Sequence, residues 1–293
     1  MLFRTTPYYL LTHPGFRKNP SLFIFRALLW RLKCALGMST TVSLPTLRAK
    51  LYLPATRNGE GTTMLYAARE HFEPELLRLN TIVPANRASV DVGANIGIYT
   101  LALARLSSQV FSFEPTPETF DTLQRNIELN SLENVKAFRL AISDRAGSVR
   151  LYHNPKGSGS NSIAARADTY EEVTATTLDE AISPGIKIGF MKIDVQGAEE
   201  MVLKGAQRIL LEDRPIIQFE IDADASLVDP LAAYNLLHSY GYRFSIIDQN
   251  GNLKAIEEPV DDKNIMAFHV VDQRIDSTFD ASALERAAAR SHS

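Results

Sequence analysis

The spacing of apolar and polar positions predicts alternating strands and helices from Ser89 onward. Short apolar runs of strand length are separated by longer segments with apolar residues at helical spacing. Strands that alternate with helices across short connections are typical of a parallel sheet covered by helices. The predicted strands are 89–92, 109–115, 135–143, 148–154, 188–195, 215–222 and 263–271, and the predicted helices are 98–106, 117–130, 198–213 and 231–241.

The regions around this alternation complete the predicted organisation. An Asn-Gly pair between the apolar runs of 242–256 predicts a hairpin. We expect residues 1–80 to form a basic, aromatic N-terminal extension or helical cap, residues 81–273 to form the main domain, and residues 274–293 to be a flexible tail.

The extension contains an apolar run at 21–37 that Arg26, Arg31 and Lys33 interrupt, and it is too short and too charged to span a bilayer. One interpretation is a helix within residues 17–37 that lies on an anionic membrane surface. The alternative is a helix that packs Phe23, Leu28 and Trp30 against the domain. An organelle transit segment also remains open.

Composition narrows the functional class. The 293 residues are 45% hydrophobic and 22% charged, as in an ordinary protein with a sizeable core, and the net charge of −3 gives no reason to expect a nucleic-acid partner. Residues 1–50 carry eight Lys and Arg and no acid, which leaves the rest of the chain near −11. The single cysteine, Cys34, excludes internal disulfides and a cysteine zinc cluster, and it fits a reducing cytoplasm.

A glycine-containing turn links the first predicted strand of the sheet to its helix, in the sequence VDVGANIGIYTLALARL at 90–106. Such a turn lets backbone approach a ligand. The spacing lacks the middle glycine of the dinucleotide fingerprint and the lysine of a phosphate-binding loop. An acid after the second strand suits ribose hydroxyls of either NAD or S-adenosylmethionine. The candidate cofactor-binding residues are Asp91, Gly93, Ala94, Asn95, Gly97, Glu114, Ala141 and Asp144. The alternative is that Asp91 and Glu114 only cap neighbouring helices.

Four stretches of the chain, VDVGANIGIYTLALA, SFEPTPETFDTLQRNIELN, TTLDEA and FMKIDVQGAEEMVLKGAQRIL, together resemble the FkbM family of S-adenosylmethionine-dependent methyltransferases. The resemblance covers about residues 75–270, and Gln196 stands where that family usually has Glu. It implies an α/β class I methyltransferase fold, which is a Rossmann-like, doubly wound, mostly parallel seven-stranded sheet with an antiparallel last strand, here with an N-terminal helical extension. It also implies S-adenosyl-L-methionine as cofactor and methylation of hydroxyls on sugars, polyketides or related metabolites.

The candidate residues for chemistry lie at the predicted strand exits. Methyl transfer to an alcohol needs a group that orients the hydroxyl and takes its proton. Asp194 is the first choice, and Lys192 has the same side-chain parity. The alternative for this pair is a buried salt bridge that steadies the strand exit. The other catalytic candidates are Glu199 and His153, and the substrate candidates are Asn161, Ser162 and Glu220.

A metal site is not predicted. Asp194, Glu220 and Asp222 could together hold Mg²⁺ through oxygen ligands, but three acids near one cleft also describe a solvated rim.

The sequence therefore predicts a methyltransferase that acts on a small-molecule or glycan hydroxyl. Base methyltransferases are disfavoured because DVQGAE replaces their aromatic Pro-Pro signature and Cys34 lies far upstream of the cleft. An NAD-dependent oxidoreductase and a non-catalytic cofactor-binding or recruitment module remain as alternatives.

Overall fold

The computed structural model describes residues 13–56, 60–153, 161–164, 168–221, 229, 231–248, 252–260 and 263–270. The predicted C-terminal tail, the Asn250-Gly251 turn, Asp222 and most of the loop before Asn161 lie outside these described residues.

The N-terminal part is a small helical layer with one hairpin. Helix α2 begins at a proline, and the side chain of Asn19 accepts from Leu22 N at 3.0 Å. The hairpin was not predicted. Its residue Tyr52 donates its backbone N–H to Oδ1 of Asn126 at 2.6 Å. The elements are α1 (Pro14–Lys18), α2 (Pro20–Ala35), β1 (Thr40–Leu44), β2 (Ala49–Leu53), α3 (Glu60–Ala68), two 3₁₀ turns (Arg69–His71 and Pro74–Leu77) and α4 (Leu79–Ile82).

The central sheet begins with the buried strand β3, and its first strands alternate with helices along the chain. All five residues of β3 and all four of β4 are buried, as expected when helices cover both faces. The elements are β3 (Ala88–Val92), α5 (Ile98–Leu103), β4 (Val110–Phe113), α6 (Pro117–Leu129), β5 (Val135–Phe138), β9 (Ile188–Ile193), β10 (Ile216–Ile221), α10 (Ala232–Ser239), β11 (Tyr242–Ile247), β12 (Leu253–Ile256) and β13 (Lys263–His269).

The sheet has eight strands in the order β12-β11-β13-β10-β9-β3-β4-β5. Strands β10, β9, β3, β4 and β5 are parallel, and β13 inserts antiparallel between β10 and β11. This is the α/β class I methyltransferase-like fold that the resemblance implied. The eighth strand, β12, is the second arm of the predicted hairpin, because β11 and β12 pair antiparallel.

Two predicted elements are broken in the structure. The predicted strand 135–143 divides into β5 and β6 (Ala141–Ile142), and β6 leaves the main sheet to join β7 (Gly147–Tyr152) and β8 (Tyr170–Thr176) in a small second sheet. The single helix predicted at 198–213 is instead α8 (Glu199–Lys204) and α9 (Gln207–Glu212), which follow a short α7 (Leu178–Ala181). The break lies at Gly205, where an added Cβ would meet Ser143 O at 2.2 Å.

Candidate active site

The centre of the site is the junction of β3 and β9, which pair in parallel with Val92 beside Ile193. Asp194 N donates to Val92 O at 3.0 Å, so the turns after both strands lie together. Gly93 has a φ of 76°, and an added Cβ would meet Asp194 O at 1.9 Å. A side chain at position 93 would therefore push the two turns apart, which explains the glycine.

Two other residues of the turn after β3, Gly97 and Asn95, have contacts within the protein that explain their conformation. Gly97 has a φ of 97°, and an added Cβ would meet Leu123 Cδ1 of α6 at 2.6 Å. Its role in the structure is close helix packing, and it does not line the cavity described below. Asn95 has a φ of 51° and its side chain accepts from Ile96 N at 2.8 Å, which stabilises the left-handed turn.

Glu114 follows β4 and its carboxylate joins two loops. Oε2 accepts from Asn95 N at 3.0 Å and Oε1 accepts from Thr116 N at 2.9 Å. Burial raises the pKa of Glu114 to about 7. Thr116 is the residue that precedes α6, so one of these two bonds lies next to the start of that helix. The Thr116 side chain also hydrogen-bonds to this carboxylate. A carboxylate has about four lone-pair positions, so about one remains for a ligand.

Asp91 is placed differently from the expectation that it contacts the cofactor. Its carboxylate is buried, with 1% of the residue exposed, and it accepts from Thr100 Oγ1 of α5 at 2.6 Å. Thr100 Oγ1 also lies 2.9 Å from Ser112 Oγ of β4. Burial raises the pKa of Asp91 to about 6. Asp91 ties strand to helix beneath the turn and does not line the cavity.

A narrow cavity opens beside these turns. Its apolar wall is formed by side chains from both sheets and the loop between them: Phe113, Leu140, Ile142, Leu151 and Ile163. Of the predicted site residues, the cavity lining contains Gly93, Asn95, Glu114, Ala141, Asn161, Ser162 and Asp194. It does not contain Asp91, Ala94, Gly97, Asp144, His153, Lys192, Glu199 or Glu220.

The cavity volume is about 70 Å³, far below the roughly 300–1,000 Å³ of typical small-molecule sites. Two of the lining residues are in direct contact with each other. Ser162 Oγ donates to Gln196 O at 2.7 Å, which fastens the 161–164 segment to the turn after β9.

Asp194 is the second charged side chain in the lining of this cavity, after Glu114. Lys192 Nζ donates to its Oδ2 at 3.3 Å and Gln196 Nε2 donates to its Oδ1 at 2.9 Å. The side chain of Asp194 is 32% exposed, whereas that of Lys192 is 2% exposed. The ion pair that was predicted as the structural alternative is thus present, and a carboxylate that accepts two hydrogen bonds has further lone pairs.

Lys192 belongs to a polar network that sequence reasoning missed. Tyr99 Oη donates to Glu73 Oε2 at 2.5 Å, and Gln218 Nε2 donates to Tyr99 Oη at 2.7 Å. Asn264 Oδ1 accepts from Lys192 Nζ at 3.4 Å, and Asn264 Nδ2 donates to Glu73 Oε2 at 3.2 Å. The residues are far apart in sequence. The strand order places Lys192, Gln218 and Asn264 on adjacent strands. Tyr99 of α5 and Glu73 of the N-terminal part then hydrogen-bond to them.

The network fixes the charge of Lys192. Burial alone would lower the pKa of Lys192, but the carboxylates of Asp194 and Glu73 raise it above the usual value. Burial raises the pKa of Glu73. Lys192 therefore remains an ammonium ion. Its charge interacts with two carboxylates, that of the half-buried Glu73 in the N-terminal layer and that of Asp194 in the cavity lining.

The other predicted residues have local partners. Glu199 Oε1 accepts from Val195 N and Gly197 N, both at 3.2 Å, so it holds the turn after β9; burial raises its pKa to about 7. His153 Nε2 lies 3.7 Å from Glu171 Oε1. Glu220, on β10, is one of the carboxylates that raise the pKa of Lys192.

The comparisons with known proteins identify the family. The model of the methyltransferase FkbM domain matches residues 91–244, more than half of the chain. The chain belongs to the FkbM methyltransferase family. The cofactor of this family is S-adenosylmethionine, and the chain carries the α/β methyltransferase fold described above.

Three similar proteins can be named. Methyltransferase sdnD of Sordaria araneosa is 31% identical over 159 residues, which is 42% of this chain and 61% of the relative. The hexuronic acid methyltransferase AglP of Haloferax volcanii is 32% identical over 152 residues, 50% of this chain and 59% of the relative. The crystal structure of a methyltransferase FkbM from Methylobacillus flagellatus superposes with a TM-score of 0.44 at 16% identity, over 88% of this chain and 60% of that one. The chain thus matches about three fifths of the length of its curated relatives.

The chemistry of the donor set fits S-adenosylmethionine. The Glu114 carboxylate can accept from a ribose diol, and the apolar wall can pack an adenine. Within the described part of the chain, no cluster of three His, Cys, Asp or Glu side chains is placed to hold a metal ion. None of the described helices combines the length and apolar character needed to cross a bilayer.

Proposed function

We propose that this chain is an S-adenosylmethionine-dependent O-methyltransferase that acts on a hydroxyl of a sugar, glycan or secondary metabolite. The observation that carries the proposal is the position of Asp194, which lines the cavity with a partly exposed carboxylate and whose backbone lies against Gly93 of the glycine turn. A sugar as the acceptor is supported by the similarity to the hexuronic acid methyltransferase of Haloferax. The single cysteine supports a location in the cytoplasm.

S-adenosylmethionine supplies an electrophilic methyl group. In our proposal Glu114, Gly93, Asn95 and Ala141 hold this cofactor. Asp194 orients the acceptor hydroxyl through a free lone pair and takes its proton as the new bond forms. Lys192 and Gln196 each donate to one oxygen of Asp194, which fixes the plane of the carboxylate.

Polar side chains at the cavity mouth complete the proposed acceptor site. Asn161 and Ser162 lie in the lining beside Asp194. Their amide and hydroxyl groups suit the hydroxyls of a sugar-like acceptor. Glu199, which holds the turn after β9, and His153, which contacts Glu171, are proposed to position these loops without touching the reacting atoms.

Calorimetric titration with S-adenosylhomocysteine and, separately, with NADH tests the cofactor. We expect micromolar binding of S-adenosylhomocysteine and no binding of NADH. The reverse result would favour the oxidoreductase alternative, and binding of neither would overturn the cofactor assignment.

Transfer of labelled methyl from S-adenosylmethionine to a panel of hexuronates, neutral sugars and aliphatic alcohols tests the reaction. We expect Asp194→Asn to lower turnover by at least about a hundredfold, within the range of general-base effects, with little change in S-adenosylhomocysteine affinity. Asp121→Asn, on the exposed side of α6, is the matched control. Full activity of Asp194→Asn would show that the carboxylate has only a structural role.

A further inference from the structure

One side of helix α2 fixes the helix to the protein. Phe23, Ala27 and Trp30 are buried. The indole of Trp30 stacks on Tyr66 with ring centroids 5.0 Å apart, and its Nε1 donates to Thr62 Oγ1 at 3.3 Å. The expectation that Leu28 packs with this set is wrong, since Leu28 lies on the exposed side of the helix. The helix is therefore held in one orientation.

The opposite side of α2 is apolar and exposed. The described part of the chain exposes eleven large apolar side chains, and seven of them lie within residues 22–38. Phe25 is 61% exposed, Leu32 58% and Leu36 64%. At 100° per residue these three side chains fall within about 40° of one another, so they form one stripe along the helix. The stripe comprises Leu22, Phe25, Leu28, Leu32 and Leu36.

Basic residues border this stripe. By the same helical geometry, Arg31 lies on one border and Arg26 and Lys33 lie on the other. No acidic residue occurs in residues 1–50. An apolar stripe between basic borders is the pattern of a helix that lies in a membrane interface.

A cleft beside the start of α2 adds a second basic feature. Its lining includes Lys18, Arg26, Arg69 and His71, together with one acid, Glu70. The Nη1 atom of Arg69 is buried and has no hydrogen-bond partner among the described residues. Burial and the neighbouring positive charge of Arg26 lower the pKa of Arg69. The guanidinium lies over the ring of Tyr66, 4.2 Å from its centroid, and an anionic oxygen that reached Nη1 would add a partner for that nitrogen.

We propose that α2 docks the protein on an anionic membrane surface, with the Leu22–Leu36 stripe in the interface and the cleft of Lys18, Arg26 and Arg69 against lipid phosphates. A second copy of this chain fits the surface less well. A two-fold pair of α2 stripes would bring the same basic borders together without an acid to compensate them.

Cosedimentation of the full chain with lipid vesicles tests this proposal. We expect binding to phosphatidylcholine vesicles that contain about a third of phosphatidylglycerol, weak binding to pure phosphatidylcholine, and loss of binding as salt rises. Phe25→Ser with Leu32→Ser is expected to lower the partition coefficient at least about tenfold. Arg31→Gln with Lys33→Gln is expected to lower it about fivefold for each charge removed.

Matched controls separate docking from general surface effects. Leu211 of α9 is 59% exposed, so Leu211→Ser removes a comparable apolar side chain elsewhere. Arg105→Gln with Lys254→Gln removes two exposed charges elsewhere. Both controls should bind vesicles as the unchanged protein does, and all variants should keep its melting temperature and S-adenosylhomocysteine affinity.

Three results would overturn the proposal. The first is no preference for anionic vesicles, and the second is equal loss of binding in the α2 variants and the controls. The third is that the unchanged protein forms a dimer and does not bind vesicles, and that Phe25→Ser with Leu32→Ser dissociates this dimer. That result would mean that the stripe binds a second copy of the chain. Docking does not depend on methyl transfer, so a failed activity assay leaves this test intact.

Discussion

In our proposal, Glu114 is the cofactor-binding side chain whose protonation changes the affinity for the ligand. Its carboxylate lies in the cavity wall, and burial raises its pKa to about 7. A protonated carboxyl loses acceptor positions that a ribose diol needs. We therefore expect the affinity for S-adenosylhomocysteine to fall about tenfold between pH 8 and pH 6, because a single group with a pKa near 7 goes from mostly ionised to mostly protonated.

Titration of Glu114→Gln across the same pH range checks this assignment. The variant should bind at least about tenfold more weakly at pH 8, since one charge-assisted hydrogen bond is lost. Its affinity should also be nearly independent of pH. Glu133→Gln, an exposed residue after α6, should keep both the affinity and the pH dependence. A Glu114→Gln protein that still weakens on acidification would assign the proton to another group.

Glu73 is a positioning residue in our interpretation, because it acts on Asp194 only through Lys192. Glu73→Gln removes a carboxylate that raises the pKa of Lys192. We expect kcat to fall at least about fivefold and the pH profile of kcat to shift, with S-adenosylhomocysteine affinity changed less than twofold. A steady-state pH series measures this. An unchanged profile with lowered thermal stability would show that Glu73 is only structural.

Several residue placements could be predicted from sequence and others could not. Asp194 could be placed beside Gly93 because the resemblance to the family makes their two strands neighbours and parallel strands end at one edge of the sheet. The burial of Asp91 could not be predicted, because it depends on how α5 packs on β3 and brings Thr100 against the carboxylate. The same limit applies to Glu73 and Asn264, which are 191 residues apart in sequence and meet only after the sheet has formed.

At the scale of elements, the turn after β3 and the turn after β9 are packed against each other through Gly93. Gly93→Ala would place a Cβ at 1.9 Å from a backbone oxygen at a φ of 76°. We expect it to lower the free energy of unfolding by about 3 kcal/mol or more and to abolish S-adenosylhomocysteine binding. Thermal and urea unfolding measure this change.

Gly185→Ala is the matched control for Gly93→Ala, because no atom lies within 4 Å of its added Cβ and its φ is not positive. It should change stability by less than about 1 kcal/mol. A Gly93→Ala protein as stable as this control would show that the two turns can separate freely.

Helix and strand types were predictable from periodicity, whereas their breaks were not. The helix predicted at 198–213 has continuous amphipathic spacing, but Gly205 must pass close to Ser143 O, and the helix ends there. The strand predicted at 135–143 is apolar enough to continue. Residues 141–142 instead pair with β8, a strand of the second sheet. Both breaks result from contacts with elements that lie elsewhere in the sequence.

At the scale of the whole molecule, the fold buries three carboxyls around the site. Burial raises the pKa of Asp91 to about 6 and those of Glu114 and Glu199 to about 7, against about 4 in an unfolded chain. Between these values the native state binds more protons than the unfolded state. The contribution of these groups to the free energy of unfolding therefore decreases as pH rises from about 4 to 7.

Glu199→Gln isolates one of these contributions. The amide keeps an oxygen that can accept from Val195 N and Gly197 N, yet it has no charge to desolvate. Relative to the unchanged protein, the variant should gain stability on the order of 1–3 kcal/mol between pH 5 and pH 8, because only the carboxylate loses stability on deprotonation. Urea unfolding at several pH values gives this difference directly. Glu133→Gln should show a constant difference from the unchanged protein. If Glu199→Gln also shows a constant difference, the Glu199 carboxylate is stabilised by the two backbone donors enough to offset its burial.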